Sequence, residues 1–182
     1  MELLEFARGP ALTFAITVFI AGVVFRIVSL FAMWRTSDSS EGSRDEKPVV
    51  FAALREIGRR MWPQSAYKQR TLFMLINGYA FHIGLALIVF FLLPHILFFD
   101  DLLGLNWPHL PNNVIYAVSI ITEVSLLAQL VMRFANPTIR IVSTFDDWFS
   151  WLVTFQPVAT GIAATSHLGA RYETLLALHI LS

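Results

Sequence analysis

Residues 71–99 read TLFMLINGYAFHIGLALIVFFLLPHILFF, an apolar run interrupted by two histidines, His82 and His95. A hydrocarbon core of about 30 Å takes roughly 20 helical residues, so this run is long enough to cross a bilayer. The same pattern recurs on both sides of it. Residues 10–34 form an apolar run broken only by Arg26, residues 113–134 another with Glu123 inside, and residues 148–168 another carrying Gln156 and Pro157. A last run begins near Tyr172 and stops at Ser182 after roughly ten residues, about half a crossing. The expectation is an all-α integral membrane bundle of five transmembrane helices, the fifth cut short where the chain ends. It forms a single domain over residues 1–182. The acidic start, Met1-Glu2-Leu3-Leu4-Glu5, and the lack of a small-residue cleavage site argue against a secretory signal.

Composition agrees with this reading. Of 182 residues, 56% are hydrophobic and 14% charged, with a mean hydropathy of +0.63, whereas soluble domains sit near about 45–50% and about 25%. A formal net charge of zero gives no electrostatic case for nucleic acid. The absence of cysteine excludes disulfides, thiolate zinc sites, iron–sulfur clusters held by this chain and thiol nucleophiles. Chemistry here falls to histidine, carboxylate or a bound cofactor.

The loops set an orientation. Between the first two runs lie Arg35, Arg44, Lys47, Arg55, Arg59, Arg60, Lys68 and Arg70. The next loop has no Lys or Arg and opens on Asp100-Asp101; the third connection carries Arg133 and Arg140. The positive-inside rule places the first and third loops in the cytoplasm and the N-terminus outside. The expected location is a bacterial or archaeal cytoplasmic (inner) membrane. Within the cytoplasmic loop 35–70, residues 36–48 are polar. Residues 49–62 set Val50, Phe51, Leu54, Ile57 and Met61 opposite Arg55, Arg59 and Arg60. That spacing predicts an amphipathic helix suited to a membrane surface or to a soluble partner.

Ionisable groups at bilayer depth are expensive and mark function. His82 sits about twelve residues into its run, roughly 18 Å from the inner end, and His95 roughly 20 Å further out. His179 lies eight residues past Arg171 on the fifth run. One membrane histidine reads as an interhelical hydrogen bond. Three on two antiparallel helices, with no cysteine in the chain, point to axial ligation of haem iron. Among the other polar residues, Arg26 is a candidate for a haem propionate, with snorkelling to the interface as the alternative. His167, near the outer surface, is a candidate to assist quinol deprotonation or an interfacial residue. His109 reads as a loop residue, Glu123 as a proton relay or an interhelical hydrogen bond, and Asp146-Asp147 as a helix cap.

Phe81-His82-Ile83-Gly84 resembles the haem-bearing helix of the gamma subunit of respiratory nitrate reductase, a membrane diheme cytochrome b family. The stretch from Val18 to Arg26 and then Trp34-Arg35 resembles that family's first helix, and Leu178-His179 matches a position on its fifth. The resemblance implies two b haems stacked across the membrane, each held by one histidine from the second helix and one from the fifth. It also implies quinol oxidation near the outer haem, with electrons passing inward to a cytoplasmic iron–sulfur subunit and a catalytic subunit. The family's second ligand falls ten residues after the first, where this sequence has Leu92; His95 stands three residues later, after Pro94. Thirteen residues turn about 220° beyond whole turns, so His82 and His95 share no face unless Pro94 bends the helix. Helix order pairs His95 with His179 and leaves His82 to a ligand beyond Ser182. For a single haem the pair would be His82 and His179.

These observations read as the haem b-containing membrane subunit of an oxidoreductase complex, exchanging electrons between the quinone pool and cytoplasmic redox subunits. The alternatives are a transporter or ion-pathway subunit, with Arg26 and Glu123 as conduction residues, and a cofactor-free membrane anchor.

Overall fold

The structure, a computed structural model, describes residues 3–33, 49–63, 68–166 and 169–182. Trp34-Arg35, the polar stretch 36–48 and His167 lie outside the described residues. Regular structure is helical throughout, with no strand among the described residues. Three helices are long and apolar enough to cross a membrane: Leu3–Ala32, Thr71–Phe91 and Asn112–Ala135. Three of the five expected crossings are thus met by length and composition.

Helix α1 (Leu3–Ala32) opens with a π turn over Ala7–Ala11 that contains Pro10. Proline has no N–H to donate to the preceding turn, and a widened turn absorbs the missing bond: the Leu12 N–H reaches back five residues to the Ala7 carbonyl. Beyond it the helix buries no residue, and Phe25 and Phe31 are 73% and 83% exposed. Its hydroxyls need no outside partner, because Thr13, Thr17 and Ser29 each donate to the carbonyl four residues back. An apolar helix of this length with its hydroxyls satisfied internally is suited to lipid.

The amphipathic helix α2 spans Val49–Arg60. Helix α3 spans Lys68–Phe91, and here the sequence expectation of one continuous run over 71–99 is revised. The chain breaks at Leu92, which is extended (ψ 127°), and resumes as α4 (Leu93–Leu103). Pro94 is the cause: with no N–H it cannot continue the ladder from α3. The carbonyls released at the break find donors in the following loop. Trp107 Nε1 donates to the Phe90 carbonyl (2.6 Å), and the Leu110 N–H donates to that of Phe91 (3.1 Å). Helix α4 ends at Gly104, whose φ of +68° is left-handed, with its N–H on the Asp100 carbonyl.

Helix α5 (Asn112–Ala135) is the centre of the bundle, packed against α3 on one side and α7 (Phe145–Ser166) on the other. Its buried residues include Ser119, Thr122 and Ser125, small polar side chains that let helices approach closely. Gly84 of α3 lies against Thr122, so close that a Cβ at position 84 would overlap the threonine hydroxyl. Three hydrogen bonds lock these helices together. Asn77 Nδ2 donates to the Ser125 carbonyl (3.0 Å), Trp151 Nε1 to that of Leu126 (2.9 Å), and the Tyr116 hydroxyl to that of Thr165 (2.6 Å).

A short helix, α6 (Pro137–Val142), is capped by Asn136, whose Oδ1 accepts from the Thr138 and Ile139 N–H groups. Asp147 holds the start of α7: its Oδ2 accepts from both the backbone N–H and the hydroxyl of Thr144, at 2.8 Å each. Of the two acids read from the sequence as a cap, Asp147 makes these bonds. They hold the Asp147 carboxyl below its ordinary value, and Arg133 nearby adds to the effect. Because the folded state lowers this pKa, ionisation stabilises the fold above about pH 4 and that contribution is lost as the pH falls. Asp147→Asn should therefore flatten the acid limb of a thermal-stability profile taken from neutral to acid pH. An unaltered acid limb in the variant would remove Asp147 from the account.

Helix α8 (Tyr172–Leu181) packs against α7 and against residues 3–11. The first and last described helices thereby close one side of the bundle.

Candidate functional site

The break at Leu92 decides where His95 goes. It stands in the first turn of α4, where its Nδ1 donates across the break to the Ile88 carbonyl of α3 (3.0 Å). That carbonyl belongs to the last turn of α3, whose carbonyls have no complete set of helical partners. The imidazole caps this helix end and is held by it.

His179 is held in a parallel way from the other side. Its Nδ1 donates to the Pro157 carbonyl of α7 (3.0 Å), and the Thr160 hydroxyl oxygen lies 3.3 Å from the same nitrogen. Thr160 already donates to the Gln156 carbonyl (2.6 Å), which leaves its oxygen free to accept from His179. Gly161 makes room for the ring: a Cβ there would come within 3.2 Å of His179 Cε1 and 3.3 Å of Nδ1. The last turn of α7 before this contact thus combines a carbonyl acceptor, a hydroxyl and a missing side chain at spacings of three and four, one helix face.

The two imidazoles meet. Their ring centroids are 6.0 Å apart and their planes differ by 7°. Both rings are half-buried. With Nδ1 protonated and occupied by a backbone carbonyl, each ring keeps an unprotonated Nε2 with its lone pair available. This is the tautomer a metal-binding histidine requires, fixed by the hydrogen bond on its other nitrogen.

The remaining sequence candidates are not part of this pair. His82 is exposed on α3, with Nδ1 donating to the Gly78 carbonyl (2.7 Å) and its ring edge against Phe81. The single-haem pairing of His82 with His179 is not what the fold brings together; His95 is the residue facing His179. Arg26 is exposed on α1, fifteen residues past the π turn, roughly 22 Å along the helix. His109 is an exposed loop residue, with Nδ1 donating to the Leu110 carbonyl. Glu123 is half-buried, and its Oε2 has no hydrogen-bond partner among the described residues. His167 lies outside the described residues. Among the described residues no cluster of three or more His, Cys, Asp or Glu side chains could hold a bare metal ion.

Sequence reasoning had no place for Ile88, Pro157, Thr160 and Gly161. Pro157 and Gly161 carried the available signal, two helix-weakening residues four apart within an apolar run. That signal says a neighbour approaches closely or needs a carbonyl; it does not say which neighbour.

No family model matches the chain, and no solved structure does. The chain is 28% identical over 185 residues to a protein of Nitratidesulfovibrio vulgaris (strain Hildenborough) described simply as "Protein". The match covers 97% of this chain and 79% of that one.

Proposed function

We propose that this chain is a membrane cytochrome b subunit, in which His95 and His179 would hold one haem. The observation that supports this reading is the geometry of the imidazole pair. The two half-buried rings have centroids 6.0 Å apart, and with Nδ1 of each engaged by a carbonyl, Nε2 of each would be the atom offered to a haem iron. Two neighbouring histidines, with no cluster of three or more His, Cys, Asp or Glu among the described residues, would suit a porphyrin better than a bare ion. When bound, haem supplies reversible one-electron transfer; the chain's own residues set its surroundings. Ile88 and Pro157 carbonyls hold each Nδ1 proton in place, Gly161 clears the ring, and the apolar bundle keeps the dielectric low. A second haem, implied by the resemblance to the nitrate reductase gamma family, would take His82.

The electron partners in this reading are the quinone pool on the membrane side and cytoplasmic iron–sulfur and catalytic subunits on the other. A quinol arrives through lipid and needs a polar notch at an interface. The end of α4 and the α4–α5 connection would provide Asp100, Asp101 and His109 for protons released on oxidation, with Asn106 Nδ2 donating to Asp100 Oδ2 (3.0 Å). Five crossings with the N-terminus outside complete the proposal, α7 and α8 being the fourth and fifth.

A reduced-minus-oxidised absorbance spectrum of the purified protein should show the sharp bands of a low-spin b haem. A featureless difference spectrum from protein that is folded and haem-supplemented would return the chain to the transporter or anchor class. For orientation, Ser40→Cys and Asn112→Cys should label oppositely with an impermeant thiol reagent. Labelling of position 40 from the outer side would reverse the topology and the direction of electron flow.

A further inference from the structure

Helix α2 has a face that nothing among the described residues covers. Val50, Phe51, Leu54 and Ile57 are 70%, 64%, 62% and 58% exposed. Val50, Leu54, Ile57 and Met61 fall within about 60° of one another around the helix axis, and Arg55, Glu56, Arg59 and Arg60 occupy the opposite side. Twelve residues make a rod of roughly 18 Å, too short to cross a bilayer.

We propose that α2 lies in the plane of the membrane, its apolar face sunk into an anionic lipid leaflet at the end of the bundle where α3 begins. The tether to α3 selects lipid over a soluble protein. The Tyr79 hydroxyl donates to the Met61 carbonyl (2.6 Å), just past the end of α2, and the Lys68 ammonium sits 5.9 Å from the Trp62 ring centre. Tyr79 is eight residues into the apolar run that starts at Thr71, roughly 12 Å along it. Helical side chains lean toward the N-terminus, so the tyrosine reaches back toward the membrane surface. Met61 is thereby held at the depth of the headgroup and acyl boundary, where in-plane helices bury their apolar face by about 5–10 Å. A water-soluble partner would have to displace lipid to reach the same face. On the polar side, Glu56 accepts from Arg59 (2.7 and 2.8 Å) and from Arg60 (2.8 Å). These bonds hold its carboxyl well below the usual range, at about 2. Three arginines against one glutamate leave this helix net positive, which matches acidic headgroups.

The inference is independent of haem; it rests on α3 crossing the membrane. The cysteine-free chain allows a direct test with single nitroxide labels on the full protein in vesicles of phosphatidylcholine and phosphatidylglycerol. Labels at Phe51→Cys, Leu54→Cys and Ile57→Cys should be relaxed by oxygen and shielded from a water-soluble nickel complex. Labels at Glu56→Cys and Arg59→Cys should show the reverse, with the oxygen-to-nickel ratio severalfold lower. In phosphatidylcholine alone the contrast should shrink; an unchanged contrast removes the anionic-lipid part of the proposal. Nickel access at 51, 54 and 57 equal to that at 56 and 59 overturns it, because the apolar face is then in water. Shielding of those three sites from both reagents also overturns it and assigns the face to protein, a second copy included. The haem spectrum of the same preparations separates failure here from failure of the cytochrome reading.

Discussion

On the proposed assignment, His179→Ala should abolish the low-spin haem signal attributed to the His95–His179 pair, and His95→Ala should do the same. The expected effect is total for that haem, because either variant removes one of the two side chains that would hold it. The two residues act as one unit, so the double variant should lose no more than either single variant, a non-additivity expected of groups that share one ligand. His82→Ala should leave this signal in place, since His82 is exposed on α3 and not part of the facing pair. Haem content, measured per protein as the pyridine haemochrome, checks all four proteins. Loss of the same band in His82→Ala and His179→Ala, with His95→Ala intact, would show instead that His82 and His179 are the pair. Gly161→Val supplies an independent arm: it removes no ligand but crowds Cε1 and Nδ1 of His179, so the band should weaken or shift.

The second large effect falls on the bundle itself. Gly84→Ala places a methyl group where the Thr122 hydroxyl stands and within 3.3 Å of the Thr122 Cβ. The hydroxyl is held by its bond to the Val118 carbonyl (2.8 Å), and the surrounding face of α5 is buried. Either that bond breaks or α3 and α5 move apart, and overpacking of this kind costs about 1–3 kcal/mol. Gly84→Val should cost more. Movement of α3 also displaces Asn77 from the Ser125 carbonyl, adding an unpaired polar group within the bundle. Thermal unfolding in detergent is the measurement. Thr122→Ala in the Gly84→Ala background should restore much of the loss, since the overlapping oxygen is gone while the helix keeps its own ladder. Equal stability of Gly84→Ala and the parent protein would mean that α3 and α5 do not pack at this contact.

How far the sequence reached is visible in single residues. The apolar runs were legible because crossing a bilayer is a matter of length and composition, properties that a chain carries without its fold. The amphipathic α2 was legible for a related reason: its two faces follow from the helical period alone. Pro94 was read as a possible bend, and the break at Leu92, about two turns before the end of the run, is its consequence. What could not be read was where the freed carbonyls would find donors, since Trp107 and Leu110 are separated from Phe90 and Phe91 by a loop whose path is set by packing. The continuous run over 71–99 therefore became two helices.

The candidate site divides along the same line. His82, His95 and His179 stood out in the sequence because imidazole is rare and costly in apolar helices. Their pairing had two competing readings, His95 with His179 from helix order and His82 with His179 for a single haem, and spacing along the chain could not choose between them. The choice belongs to tertiary structure: the break at Leu92 re-aims His95, and the Pro157 carbonyl with the gap at Gly161 seats His179 opposite it. The sequence by itself determined that this chain is helical, apolar enough for a membrane and furnished with imidazoles inside its apolar runs. Those properties depend on neighbours at spacings of one to four residues. Only the folded bundle decided which imidazoles face each other, because that depends on the direction of two chain segments some eighty residues apart.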